Sequence, residues 1–132
     1  MQYHTKNRRK YLILYHIIFV VKYRKKILSP SITDTLKKSL LDIESHSEFD
    51  ISEMEVDKDH LHLMIDSSPV VSISQIVRRI KQQTTYDLWC VHGSYLNRQF
   101  WHEKTFWSDG YFASSIGNAS IETVRHYIQN QG

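Results

Sequence analysis

The chain has 132 residues, of which 41% are hydrophobic and 23% charged, and its formal net charge is +3 at neutral pH. This length and composition suit one folded domain, residues 1–132, and exclude a disordered chain, because the many aromatic residues favour a packed core. Cys90 is the only cysteine, which excludes an intramolecular disulfide and a cysteine-rich zinc module, so we expect a cytoplasmic protein.

The charges are segregated along the chain. Residues 1–30 hold eight Lys/Arg and no Asp/Glu, whereas residues 31–60 hold three basic and nine acidic side chains. A basic segment of this density indicates a polyanionic partner, either nucleic acid or an anionic membrane surface. The apolar run from Leu12 to Val21 is only half of the roughly 20 residues that a membrane-spanning helix needs. Its β-branched and aromatic content instead predicts a central strand covered on both faces, with no role in a membrane.

Capping and periodicity signals predict the elements that follow this strand. Ser31 to Asp34 resembles a capping box, and Ser72 to Gln75 forms a second one, so each is expected to open a helix. Alternating segments predict a hairpin with its turn at Lys58-Asp59, and Gly93 is expected to end the second helix. The predicted elements are a helix over about 32–46, strands over 49–57 and 60–66, a helix from 73 to about 92, a strand over 111–116 and a helix over 121–131.

The resulting order is β-α-β-β-α-β-α. It predicts an α+β fold with a ferredoxin-like (RRM-like) antiparallel sheet, helices on one sheet face, and a short C-terminal helix that carries a tyrosine.

The segment His60-Leu61-His62 is the first feature with chemical meaning. Alternate residues of a strand point to the same face, so both imidazoles project together and form half of a metal site. If the apolar residues of the hairpin share the buried face, Glu55 lies opposite His62 and Asp57 opposite His60, where either carboxylate could orient an imidazole. A His-x-His pair also arises by chance in a chain with eight histidines, so the motif alone is weak.

The predicted last helix holds a second candidate pair. Gln131 follows Tyr127 by four residues, so both side chains lie on one face of a helix, one turn apart. Taken alone, Tyr127 is better explained as a half-buried core aromatic.

In combination, these features resemble the single-tyrosine HUH transposases of the insertion-sequence 200/605 group. The resemblance covers nearly the whole chain. It rests on the segments Lys22–Lys26, Asp57–His62, Trp107–Gly117 and Tyr127–Gln131, in this order.

The resemblance implies an enzyme that cleaves and rejoins single-stranded DNA at insertion-sequence ends. Tyr127 would attack a phosphodiester to give a 5′-phosphotyrosine and a free 3′-OH. His60, His62 and Gln131 would hold a divalent cation, Mg²⁺ or Mn²⁺, and the sequence leaves Zn²⁺ open. Protonation of the imidazoles should then lower activity below about pH 6. The implied partners are DNA with hairpin-forming ends and a second copy of the chain, as a homodimer. In the family the partner's tyrosine helix completes each site, but this sequence leaves open whether the helix docks on its own subunit or on the partner's.

Basic and aromatic side chains are candidates for DNA contacts. Tyr23, Trp101 and Trp107 could stack unpaired bases, although each alone is as well explained by packing or solvation. Two alternatives stay open: another HUH nuclease (a replication initiator, a relaxase or a repeat-associated tyrosine transposase), or a non-catalytic module that binds single-stranded nucleic acid. The candidate phosphate contacts are Lys22, Arg24, Lys25, Lys26, Arg78, Arg79 and Lys81, together with Lys6, Arg8, Arg9 and Lys10 before the first strand.

Overall fold

The computed structural model describes residues 13–115 and 128–130. Within them the order of elements confirms the predicted β-α-β-β-α-β series. Residues 128 and 129 are helical, but most of the predicted helix over 121–131 lies outside the described residues. The elements are β1 (Ile13–Val20), α1 (Pro30–Ser45), β2 (Asp50–Val56), β3 (His60–Ser67), α2 (Ile73–Gln99) and β4 (Phe112–Ser115).

The four strands form one antiparallel sheet in the order β2-β3-β1-β4. This order and the two helices are those of the predicted ferredoxin-like α+β fold. Strand β1 is central, as its apolar run predicts. Ile17 and Ile18 point to opposite faces and are both fully buried, which confirms that the strand is covered on both sides.

One face of the sheet holds the core. Phe19 on β1 and Leu61 and Leu63 on β3 are fully buried, and they pack in one cluster with the apolar side chains of α1 and α2. Because side chains alternate along a strand, residues of the other parity point away from the helices. His60 and His62 belong to that second set, which we call the histidine face.

The hairpin between β2 and β3 has the predicted register. Met54 pairs with Leu63, Glu55 with His62, and Val56 with Leu61. The backbone N–H of Asp57 donates to the carbonyl of His60 at 3.0 Å, which closes the turn. Burial of one sheet face is sufficient to select this register, since a slip of one residue would expose Leu61 and Leu63.

The helix boundaries differ from the prediction at two points. Helix α1 begins earlier, because Pro30 occupies its first turn and the Ser29 hydroxyl accepts a hydrogen bond from the N–H of Ile32. The capping box at Ser72 is confirmed, but α2 continues to Gln99. Among the described residues, neither helix has the length and apolar character needed to cross a bilayer.

Gly93 was expected to end α2, and the helix is interrupted by a kink at His92, directly before Gly93, after which a further helical stretch continues to Gln99. His92 has φ −117° and ψ 25°, and its Nε2 lies 2.8 Å from the hydroxyl of Thr35 on α1. A glycine within a helix costs about 1 kcal/mol relative to alanine. Leu96 and Phe100 are both fully buried. The free energy gained by burying them offsets the cost of the glycine, so tertiary packing extends the helix.

Trp107 belongs to the core, so the prediction that it stacks on bases is wrong. It is 5% exposed, and its Nε1–H donates to the hydroxyl of Thr84 at 2.9 Å. Cys90 on α2 is exposed.

The burial of Trp107 predicts a large loss of stability on truncation. We expect Trp107→Ala to lower the free energy of unfolding by about 3–5 kcal/mol, through lost apolar contact and a cavity. Trp101, which is 70% exposed, is the matched control, and Trp101→Ala should change this free energy by about 0.5 kcal/mol or less. Urea denaturation followed by circular dichroism measures both values. Equal losses for the two variants would contradict the assignment of Trp107 to the core.

Candidate active site

Two imidazoles lie side by side on the histidine face. Strand β3 places them there because Leu61, between them, is fully buried on the opposite face. The side chains of His60 and His62 are 19% and 25% exposed, so they are sheltered but within reach of a ligand. This is the placement that the His-x-His pattern predicts.

Asp59 orients the first imidazole. Its Oδ1 lies 3.0 Å from Nδ1 of His60, and its Oδ2 lies 3.4 Å from Nε of Arg24. Burial alone would raise the pKa of the Asp59 carboxyl. The hydrogen bond and charge of His60, together with Arg24, outweigh that effect and hold the pKa below its usual value. A carboxylate can only accept hydrogen bonds, so Nδ1 of His60 carries a proton, and in the neutral ring Nε2 then presents its lone pair to a ligand.

The two carboxylates predicted to flank the histidines, Glu55 and Asp57, make different contacts. The Glu55 Oε2 is 3.9 Å from Nδ1 of His62, on a side chain that is 75% exposed. The Asp57 Oδ1 instead accepts from the N–H of Lys58 at 2.8 Å and so stabilises the turn. The contact that we expected Asp57 to make with His60 is therefore made by Asp59. The position of Asp59 directly before His60 was the sequence signal that could have identified this contact.

A third imidazole, to which sequence reasoning gave no role, lies beside the second. Nδ1 of His16 is 3.3 Å from Nε2 of His62, and the ring centroids are 4.8 Å apart with an interplanar angle of 54°. Ile18 pairs with His62 across the β1–β3 ladder, so His16 is a diagonal neighbour on the same face. The parity of His16 along β1 would have placed it there once β1 and β3 were known to be paired.

These neighbours predict how His62 titrates in the metal-free protein. Burial lowers the pKa of His62, the positive charge of His16 lowers it further, and Glu55 partly opposes both. The midpoint should therefore lie below the usual histidine value of about 6.5, with the ring neutral down to lower pH. Removing the acidic neighbour in Glu55→Gln should lower the midpoint further, and His16→Ala should raise it. NMR titration of the imidazole C2–H signals measures all three, and a wild-type midpoint above the usual value would contradict this assignment.

The donor chemistry of this face fits a divalent cation only in part. Two neutral imidazoles suit Mn²⁺ or Zn²⁺ better than Mg²⁺. Within residues 13–115 and 128–130, no group of three or more His, Cys, Asp or Glu side chains is arranged to hold a metal ion. A cation on this face would need further ligands from outside this set, and the predicted third ligand, Gln131, lies outside the described residues. So does the predicted nucleophile, Tyr127.

The described part of the C-terminal segment does approach the histidine face. The Nη1 of Arg24 donates to the backbone carbonyl of Gln129 at 3.1 Å, within the same chain. Arg24 also contacts Asp59, which in turn holds His60. One guanidinium thus connects the C-terminal segment to the carboxylate that orients His60.

The basic side chains fall into two groups on different layers of the fold. Arg24, Lys25 and the exposed Lys26 follow β1 close to Asp59, and Lys22 forms a 3.0 Å ion pair with Glu103. The second group, Arg78, Arg79 and Lys81, lies on α2 in the helix layer.

Lys81 differs from the other basic residues, because its ammonium is already saturated. It donates to the carbonyls of Ser108, Asp109 and Gly110 at 2.7, 2.8 and 3.2 Å. Burial lowers its pKa, and nearby Asp109 partly opposes that effect. All three N–H donors are used, so the structure assigns Lys81 to holding the loop before β4 and leaves it no donor for a phosphate.

Comparison with known proteins places this geometry in context. A family described as "Transposase IS200 like" matches residues 9–131. The chain is 27% identical over 121 residues to the ISDra2 transposase TnpA of Deinococcus radiodurans, covering 92% of this chain and 85% of that protein. It is 26% identical to the transposase for insertion sequence element IS200 of Salmonella typhimurium, covering 89% and 75%.

Two solved structures are similar in fold. A putative transposase from Deinococcus radiodurans superposes with a TM-score of 0.84 at 25% identity, covering 94% of both chains. A REP-associated tyrosine transposase bound to a REP hairpin superposes with a TM-score of 0.58 at 19% identity, covering 94% of this chain and 68% of that one.

Proposed function

Because this chain belongs to the IS200-like transposase family, we propose that it cleaves and rejoins single-stranded DNA at the ends of an insertion sequence, with Tyr127 as nucleophile. The observation that carries the proposal is the contact between Arg24 and the carbonyl of Gln129, beside the Asp59–His60 pair. Tyr127 and Gln131 are each two residues from Gln129 in the sequence. The proposal therefore requires that the segment around Gln129 bring both side chains to the histidines.

In the proposed reaction, the Tyr127 hydroxyl oxygen attacks the scissile phosphorus. The new O–P bond links the protein to the 5′-phosphate of the downstream fragment. The P–O3′ bond breaks, and the upstream fragment leaves with its 3′ oxygen, whose uptake of a proton balances the proton that the tyrosine hydroxyl loses. A later attack by a 3′-OH on the phosphotyrosine reverses these changes and releases the tyrosine. The number of phosphoester bonds is conserved, so rejoining needs no ATP.

The chain's own residues prepare the site for this attack. A free tyrosine has a pKa of about 10 and is a poor nucleophile at neutral pH. A divalent cation, Mg²⁺ or Mn²⁺, held by His60, His62 and Gln131, would supply stabilisation of charge at the phosphate. Asp59 keeps His60 in the tautomer that can accept a ligand, and Arg24 fixes Asp59 while it positions the segment around Gln129.

The proposed partner is DNA with hairpin-forming ends, and the proposed assembly is a homodimer. The structural neighbour bound to a REP hairpin supports a hairpin ligand for this fold. Phosphate contacts are proposed for Arg24, Lys25 and Lys26, which adjoin the site, with a further contribution from Lys22. Arg78 and Arg79, on the helix layer, would contact DNA that extends beyond the histidine face.

The test uses single-stranded oligonucleotides that tile the DNA flanking the gene, labelled at either end, with Mn²⁺ or Mg²⁺. We expect a product in denaturing gels in which the 3′-labelled fragment carries the protein, while the 5′-labelled fragment is released with a free 3′-OH. Binding without this product in either metal would favour the non-catalytic module. Protein attached to the 5′-labelled fragment would exclude a 5′-phosphotyrosine link.

A further inference from the structure

Two exposed aromatic rings lie together near the Arg24–Asp59 contact. Tyr23 is 50% exposed and Trp101 is 70% exposed, and their ring centroids are 5.8 Å apart in an edge-to-face arrangement. Large aromatic side chains with this exposure are not explained by the core, in which Trp107 and Phe106 are buried. Exposed, adjacent aromatics of this kind mark a binding surface.

The backbone holds both rings in an unusual conformation. Tyr23 and Arg24 have φ 63° and 51°, and Trp101 and His102 have φ 50° and 68°, which is the left-handed region that residues other than glycine rarely adopt. Strained pairs of this kind persist where the surrounding structure enforces them, and they cluster at functional sites. Local hydrogen bonds hold both turns: the N–H of Arg24 donates to the carbonyl of Val21 at 2.8 Å, and the N–H of His102 to the carbonyl of Asn97 at 3.1 Å. A bond of 2.9 Å from the N–H of Lys22 to the carbonyl of Phe106 joins the two loops.

Lysine ammonium groups lie over both rings. The Nζ of Lys25 is 5.0 Å from the Trp101 centroid, and the Nζ of Lys22 is 5.6 Å from the Tyr23 centroid. An ion pair between Lys22 and Glu103 fixes one of these cations and raises the pKa of Lys22. Aromatic faces with cations beside them combine the two contacts that bind a single strand: stacking on a base and charge attraction to its phosphate.

We propose that Tyr23 and Trp101, with Lys25, form a stacking site for an unpaired base of the single-stranded DNA close to the scissile phosphate. The proposal rests on the proposed function for the identity of the ligand. The position of the site follows from the chain itself, since Tyr23 immediately precedes Arg24, which contacts Asp59 beside His60. A base held by these rings would direct the adjoining phosphate towards the histidine face.

The test compares Trp101→Ala with Tyr86→Ala, because Tyr86 is also 70% exposed but lies on α2 in the helix layer. The probe is a cleavable single-stranded oligonucleotide, together with copies that each carry one abasic nucleotide. Trp101→Ala should weaken binding by about ten-fold, within the range known for base stacking. Trp101→Phe should restore most of the affinity, and Tyr86→Ala should bind as the wild type. One abasic position should weaken binding by the wild type but not by Trp101→Ala.

The outcomes separate a failure of the stacking site from a failure of the proposed transposase function. Equal affinities of wild type and Trp101→Ala, or an equal penalty for every abasic position in both proteins, would overturn the stacking site. Wild-type protein that still forms the covalent product in that case leaves the transposase function standing. Stronger binding of duplex DNA than of the single strand, with the same loss in Trp101→Ala, would also overturn a site for unpaired bases.

Discussion

Replacing Tyr127 by phenylalanine should abolish the covalent protein–DNA product while leaving DNA binding intact. The substitution removes one hydroxyl group, the proposed nucleophile, and keeps the ring and its packing. We expect the yield of covalent product to fall by at least about a thousand-fold, because no other side chain can replace a nucleophile that is held in position for attack. Denaturing gels measure the product, and fluorescence anisotropy with the same oligonucleotide measures binding.

The chain has eight tyrosines, so a matched control is available. Tyr86 is exposed on the helix layer, and Tyr86→Phe should form the product at the wild-type rate. A product that persists in Tyr127→Phe would contradict the assignment of the nucleophile. Loss of DNA binding together with loss of the product would show that Tyr127 acts in binding, and would leave the chemistry without support.

The second large effect is expected at the histidines. We expect His60→Ala and His62→Ala each to lower the rate of product formation by about 10²–10³-fold, as is typical when a group that stabilises transition-state charge is lost. Asp59→Asn should have a smaller effect, with about 10–100-fold weaker metal binding, because it removes the carboxylate that orients His60 but keeps both imidazoles. Electron paramagnetic resonance of added Mn²⁺ measures metal binding independently of activity.

The matched control for the histidines is His46, whose side chain is 67% exposed at the end of α1 and contacts Asp42. His46→Ala should leave both Mn²⁺ binding and product formation unchanged. Wild-type Mn²⁺ binding in the double variant His60→Ala, His62→Ala would contradict the proposed ligands. An effect of His46→Ala as large as that of His60→Ala would indicate a general loss of folding.

Local sequence patterns were sufficient to predict the antiparallel sheet and its β2–β3 hairpin. The alternation around Met54 and Leu63 allows only one register if one face is buried, and the ladder has that register from Glu53 to Val56. A bulge between Ile51 and Glu53, which the pattern did not predict, shifts the register beyond it. The start of α2 was predictable, because the capping box of Ser72 and Gln75 is a local interaction. The capping box predicted at Ser31 to Asp34 was wrong, because Ser29 caps α1. The end of α2 was not predictable, since burial of Leu96 and Phe100 depends on distant parts of the chain.

The candidate site was likewise predictable from the sequence only in part. The common face of His60 and His62 follows from strand periodicity alone. The contact of His16 with His62 requires the pairing of β1 with β3, which links residues far apart in the sequence. The exposure of Trp101 and the burial of Trp107 could not be distinguished by composition, because the two lie in one aromatic segment and only the packed structure separates them.

The residue that carries the covalent bond to DNA shows directly whether Tyr127 is the nucleophile. Trypsin cleaves after Arg125, so Tyr127 falls in a peptide that begins at His126 and contains no other tyrosine. After the wild-type product is digested with nuclease and trypsin, mass spectrometry should find a nucleotide joined through its 5′-phosphate to Tyr127. A nucleotide on any other residue, or a covalent product in which the peptide beginning at His126 is entirely unmodified, would contradict the account.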